Sequence, residues 1–130
     1  MKTVALALAI LTSPLASALA HAEEFTCSFT EPFYSIGYDT VSQKLVRSDD
    51  VLRKRTTFRN VQFQIVAPGE FKLSDARGKE LVRLKLTMNG SDGMSPVIYP
   101  YEAETNLLGG ANNGVGGCES SLIKNRMGEP

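Results

Sequence analysis

Few residues in this 130-residue chain have the chemistry that catalysis needs. Histidine, the commonest general base and zinc ligand, occurs once, at His21. The carboxylate pairs that could supply an acid and a base are Glu102 with Glu104, two apart, and the adjacent Asp49 and Asp50. We expect the first pair to be solvated at a strand edge and the second to lie in a polar turn. We therefore predict no catalytic residue and no enzymatic activity.

Two segments resemble ligand sites only in part. Asn89, Ser91 and Asp92 offer oxygen atoms for calcium, but the segment lacks the acidic density of a calcium loop. The glycine-rich run 109–117 has no following Lys-Ser/Thr and no helix to direct amides at a phosphate. We expect no metal site and no cofactor.

The segment 89–101 is the most informative part of the chain. It begins with eight residues that are turn formers except for one methionine, and it ends in an aromatic-rich strand. One interpretation places Asp92, Met94, Ser95 and Tyr99 on a rim that contacts a ligand. The other has Met94 plugging the end of a barrel and the tyrosines filling its core.

The first 22 residues predict a cleavable signal peptide. Lys2 precedes an apolar run from Val4 to Leu11, and Ala20-His21-Ala22 has the A-x-A pattern of a cleavage site. A membrane anchor is the alternative, but polar residues and a proline interrupt the apolar run early. We predict a periplasmic or secreted product that begins at Glu23 and has neither a histidine nor a transmembrane segment.

The charge of that product argues against nucleic acid as a partner. Removing Lys2 from the 14 basic residues leaves 13 against 14 acidic ones, whereas nucleic-acid-binding domains usually carry a basic excess. Removing 22 of the 130 residues leaves 108, enough for one domain, 23–130. In an exported chain, two cysteines predict one disulfide, Cys27–Cys118.

Side chains alternate between apolar and polar along several segments, which predicts strands. The segments are 25–29, 61–65, the hairpin 70–88, and 97–104, in which Val97, Tyr99, Tyr101 and Ala103 would share one face. Pro100 predicts that the last strand is an edge strand or carries a bulge. We predict an all-β fold, a small antiparallel barrel or alternatively a sandwich, closed by the disulfide and followed by a flexible C-terminal tail.

Four short strings resemble a bacterial envelope family of unknown function, with an EPFW motif, an SDGMSD...YP motif and a terminal Gly-Cys. The matching strings are Glu31–Ile36, Ser91–Ser95, Tyr99-Pro100 and Gly117-Cys118. Members of that family are exported proteins or lipoproteins, sometimes beside META-type domains or domains similar to the membrane-bound inhibitor of c-type lysozyme. The resemblance implies a small periplasmic β-barrel and carries no catalytic residue.

This chain departs from the family pattern at three positions. Tyr34 replaces the tryptophan of EPFW, Pro96 replaces the second aspartate of SDGMSD, and Gly90 stands where the family has a cysteine. Three functions follow as hypotheses: a binding module of the bacterial envelope whose partner is an unknown protein or envelope ligand, a periplasmic lysozyme inhibitor, and an enzyme acting on envelope material. The lack of histidine in the exported product argues against the third.

Overall fold

A computed structural model describes residues 22–30, 33–108 and 114–128. The predicted signal peptide lies outside the described residues except for Ala22. So do the first two residues of the EPFW-like string, most of the glycine-rich run, and the end of the predicted tail. Across the three described ranges, no helix is long and apolar enough to cross a membrane.

The described residues confirm the all-β prediction. They contain ten strands and no helix. The strands are β1 (Glu24–Phe29), β2 (Tyr34–Asp39), β3 (Lys44–Asp49), β4 (Lys54–Phe58), β5 (Gln62–Ala67), β6 (Glu70–Ser74), β7 (Glu80–Gly90), β8 (Val97–Thr105), β9 (Gly114–Ser120) and β10 (Arg126–Met127).

The strands form one antiparallel sheet in the order β4-β3-β2-β1-β9-β8-β7-β6-β5, with β10 paired to β8. Within the described strands, hydrogen bonds do not close the sheet between β4 and β5. Eight antiparallel pairings separate these two strands, so they run in the same direction. Only residues 59–61 join β4 to β5, and among them Asn60 has a φ of 56°. The two strands are therefore two arms of one long strand that bends at a corner. The first arm pairs with β3 and the second with β6.

The sheet curls around an apolar core, which brings strands from distant positions in the order together. The ring of Phe25 on β1 stacks on that of Phe63 on β5, with centroids 5.7 Å apart. The hydroxyl of Tyr38 donates to the carbonyl of Val61 at 2.7 Å, which fixes the corner against β2. Further core side chains alternate along their strands, as the period of two requires. They include Phe29, Ile36, Leu45, Leu73, Val82, Leu84, Tyr101 and Ala103.

The predicted disulfide is confirmed. Cys27 and Cys118 lie directly opposite each other on β1 and β9, with Cα atoms 4.0 Å apart and both side chains buried. The bond joins positions 91 residues apart in the chain. It therefore clamps the first strand to the ninth in the middle of the sheet.

Part of the predicted flexible tail belongs to the sheet. Arg126 and Met127 pair with Ile98 and Val97 of β8, and the backbone N–H of Gly128 donates to the carbonyl of Pro96 at 2.9 Å. The end of the described chain therefore runs beside the first residues of β8.

Candidate functional site

The connection between β7 and β8 is the irregular part of the sheet. Leu86 pairs with Tyr101 and Gly90 with Tyr99, so three residues of β7, 87–89, lie opposite the single residue Pro100 of β8. Within this bulge Met88 has a φ of 58°, a left-handed conformation that is uncommon for a bulky residue. Pro100, which cannot donate to the ladder, lies on β8 opposite the bulge. Because β8 lies between β7 and β9, this proline marks a bulge and not an edge strand.

Beyond the bulge, residues 91–96 form the loop between β7 and β8, which we call the 91–96 loop. Asp92 organises it through hydrogen bonds to four groups. Its Oδ1 accepts from the backbone N–H groups of Met94 and Ser95, both at 2.8 Å. Its Oδ2 accepts from Ser95 Oγ at 2.6 Å and from the Tyr99 hydroxyl at 3.2 Å. The carboxylate therefore ties the loop to itself and to β8.

Tyr99 lies on the outer face of the sheet, whereas the sequence pattern placed it on the same face as Tyr101. A Cβ added to Gly117 would come within 2.5 Å of the Tyr99 ring. Gly117 alternates with Cys118, whose side chain is in the core, so the ring covers the opposite side of β9. Pro100 and Tyr101 are consecutive and both are buried, so the alternation of side chains along β8 breaks at Pro100, where the pairing with β7 is irregular.

The 91–96 loop folds back against this outer face. The hydroxyl of Thr30, which follows β1, donates to the Asp92 carbonyl at 2.6 Å. Ser28 on β1, paired with Gly117, lies on the same outer face and lowers the pKa of Tyr99. Tyr99 and Asp92 are each only 7% exposed, although neither belongs to the central apolar core. The base of the loop is therefore held against β1 as well as β8.

Met94 differs from the other three predicted binding residues. Its side chain is 68% exposed, while that of Ser95 is half-buried and those of Asp92 and Tyr99 are buried. The structure thus brings all four residues into one loop and its supporting strand. Three of them form a hydrogen-bonded base, and Met94 projects from it into solvent.

The hydrogen bonds also set the charge states in this base. Burial by itself raises the pKa of the Asp92 carboxyl, but the hydrogen bonds from Ser95, Met94 and Tyr99 outweigh it and hold that pKa below its usual range. Burial raises the pKa of Tyr99, a hydrogen bond with Ser28 lowers it, and the Asp92 charge adds to the increase. At neutral pH, Asp92 is therefore an ionised acceptor and Tyr99 a protonated donor.

A second polar cluster, at β2, β3 and β4, was not predicted from the sequence. The Arg47 guanidinium lies 5.5 Å from the centre of the Tyr34 ring and donates to the carbonyl of Leu107 and the hydroxyl of Thr56. Asp49, expected to be a solvated turn residue, is buried and accepts from the backbone N–H groups after β3. These contacts hold the β3–β4 turn and the 107–108 segment in place.

The other sequence candidates for chemistry are dispersed. Glu102 and Glu104 are exposed, and each lies opposite a basic residue of β7, Lys85 and Arg83 respectively. Within the described ranges, no three His, Cys, Asp or Glu side chains come together as a metal site would need. The 91–96 loop is therefore the strongest candidate site.

No protein-family model, curated protein or solved structure matches the chain.

Proposed function

We propose that this protein is an exported, non-enzymatic binding module of the bacterial envelope, and that the 91–96 loop is its recognition surface. The partner is a protein or another envelope component with an apolar recess that accepts the Met94 side chain. Export follows from the signal-peptide pattern in the first 22 residues, and the disulfide is in keeping with an oxidising compartment.

The observation that carries the proposal is the contrast between the base of the loop and its tip. A free loop would lose conformational entropy on binding, whereas a loop held in one conformation has lost most of it already. Four hydrogen bonds to Asp92 hold this loop, while Met94 stays exposed. An unbranched thioether side chain fits apolar recesses of irregular shape.

The enzymatic alternative has no support among the described residues. The exported product would lack histidine, and Glu102 and Glu104 are both exposed. Both carboxylate oxygens of the buried Asp92 accept hydrogen bonds within the fold, and Oδ1 of the buried Asp49 accepts two.

A capture assay tests the proposal. The mature protein is immobilised and exposed to periplasmic extract, beside the variants Met94→Asp and Val41→Asp. Val41 is a matched control because it is 64% exposed and lies in the β2–β3 turn, with strands β1 and β9 between β2 and β8. We expect wild type and Val41→Asp to retain the same protein and Met94→Asp to lose it. Equal capture by all three would refute the role of the loop.

A lysozyme inhibitor is the more specific alternative, and it would use the same loop to enter a muramidase cleft. Its support is the family resemblance alone, which concerns neighbouring domains and not this site. A lysis assay with chicken-type, goose-type and invertebrate-type lysozymes separates the two. Inhibition lost in Met94→Asp and kept in Val41→Asp would identify the inhibitor, and no inhibition at micromolar protein would reject it.

A further inference from the structure

The two end strands of the sheet differ in charge. Lys54 and Arg55 lie in β4, and Arg59 follows it directly. β5, Gln62–Ala67, contains neither a charge nor a proline. In the described part of the chain, β5 pairs with β6 on one side only. Natural sheets usually protect such an edge with charged residues, and this protection is present on β4 and missing on β5.

The unprotected strand also exposes large apolar side chains. Ile65 is 72% exposed and Val66 is 45% exposed, whereas Phe63 packs against the core. The pairing with β6 is regular from Gln62 to Ile65, and a register shift follows between Ile65 and Ala67. β5 stays extended through this shift to Ala67, so residues 62–66 lie along the free edge.

We infer that β5 is an interface at which a second copy of this chain adds its own β5 in antiparallel pairing. A two-fold axis at Gln64 places Phe63 opposite Ile65 of the other copy, and Gln62 opposite Val66. Aromatic and β-branched side chains form favourable cross-strand pairs. Each copy thereby covers the two exposed apolar side chains of the other, and the interface is isologous, as dimers with two-fold symmetry require.

The charges of the two end strands favour a dimer that pairs through β5 over one that pairs through β4. Two β5 strands bring no like charges together, because the strand has none. Two β4 strands would set lysine and arginine residues against one another, which is unfavourable. The inference does not depend on the 91–96 loop, since strand pairing uses the backbone of β5.

Charge reversal at the two-fold axis tests the inference. Gln64 is exposed, so Gln64→Lys and Gln64→Glu should fold as wild type does. By analytical ultracentrifugation we expect wild type to dimerise and each variant alone to dimerise about two- to fivefold more weakly, because like charges would face each other. An equimolar mixture of the two variants should regain the dimer as a heterodimer. Thr57→Lys, on exposed β4, is the control that leaves the dimer unchanged.

Three results would overturn the inference. The first is a wild-type protein that stays monomeric up to about 1 mM. The second is a dimer that neither Gln64 variant weakens. The third is a monomer whose β5 edge instead takes up a strand from a different protein. In the supporting case, amide hydrogen exchange at 62–66 slows as protein concentration rises, while exchange in β4 does not change.

Discussion

Replacing Tyr99 by alanine tests whether the 91–96 loop is built on a rigid base. The ring is buried against Gly117, and its hydroxyl donates to Asp92. Truncating a buried aromatic side chain costs about 3–5 kcal/mol of unfolding free energy. Tyr99→Phe keeps the ring and removes one hydrogen bond to a carboxylate, for which we expect about 1–2 kcal/mol.

Urea denaturation of the variants beside Met94→Ala measures these differences. The side chain of Met94 is exposed, so its truncation should change the free energy by no more than about 0.5 kcal/mol. With a slope of about 1–2 kcal/mol per molar urea, Tyr99→Ala should lower the midpoint by about 1.5 M or more. A Tyr99→Ala midpoint as close to wild type as that of Met94→Ala would refute the reasoning, because the ring would then not support the loop.

Three further predictions follow from the same contacts. The folded-state pKa of Asp92 is lowered, so its contribution to stability is full above its unfolded pKa of about 4 and is lost as pH falls through the folded pKa. Asp92→Asn should remove that part of the acid dependence in melts recorded from pH 6 to pH 2. Gly117→Ala should cost about 1–3 kcal/mol, since the new Cβ meets the Tyr99 ring at 2.5 Å. Gly37→Ala, whose Cβ has its nearest neighbour at 4.0 Å, is the control and should change little in the same melts. Replacing both Cys27 and Cys118 by serine should lower the unfolding free energy by about 4–5 kcal/mol in urea titrations, because the bond closes a loop of 91 residues. An unchanged midpoint would show that the bond does not constrain the unfolded chain.

The sequence predicted the parts of the fold that depend on local alternation. Phe25, Cys27 and Phe29 alternate with polar residues, and all three are buried on β1. The disulfide followed from the number of cysteines and the export signal, and the structure confirms it. The alternation within a single strand is enough to predict which side chains are buried, because each strand has one face toward the core and one away from it.

The parts that depend on long-range geometry could not be predicted. Alternation placed Tyr99 with Tyr101, but the side chains of β8 stop alternating at Pro100, where its pairing with β7 is irregular. An irregularity of this kind depends on both strands and not on the local pattern of one. The corner at Asn60 joins β5, which the alternation over 61–65 predicted, to β4, whose sequence is mostly polar. The burial of Asp92 beneath an exposed Met94 could not be predicted either. It depends on a hydrogen bond with Thr30, which is 62 residues away in the chain.

Site-specific photo-crosslinking in the periplasm of living cells tests the central claim most directly. A benzophenone amino acid is placed at Met94 in one strain and at Val41, which is similarly exposed, in another. The binding-module account predicts an adduct with one defined partner from position 94, lost when Tyr99→Ala releases the loop, and no such adduct from position 41. The same adducts from both positions, or none from position 94, would contradict the account.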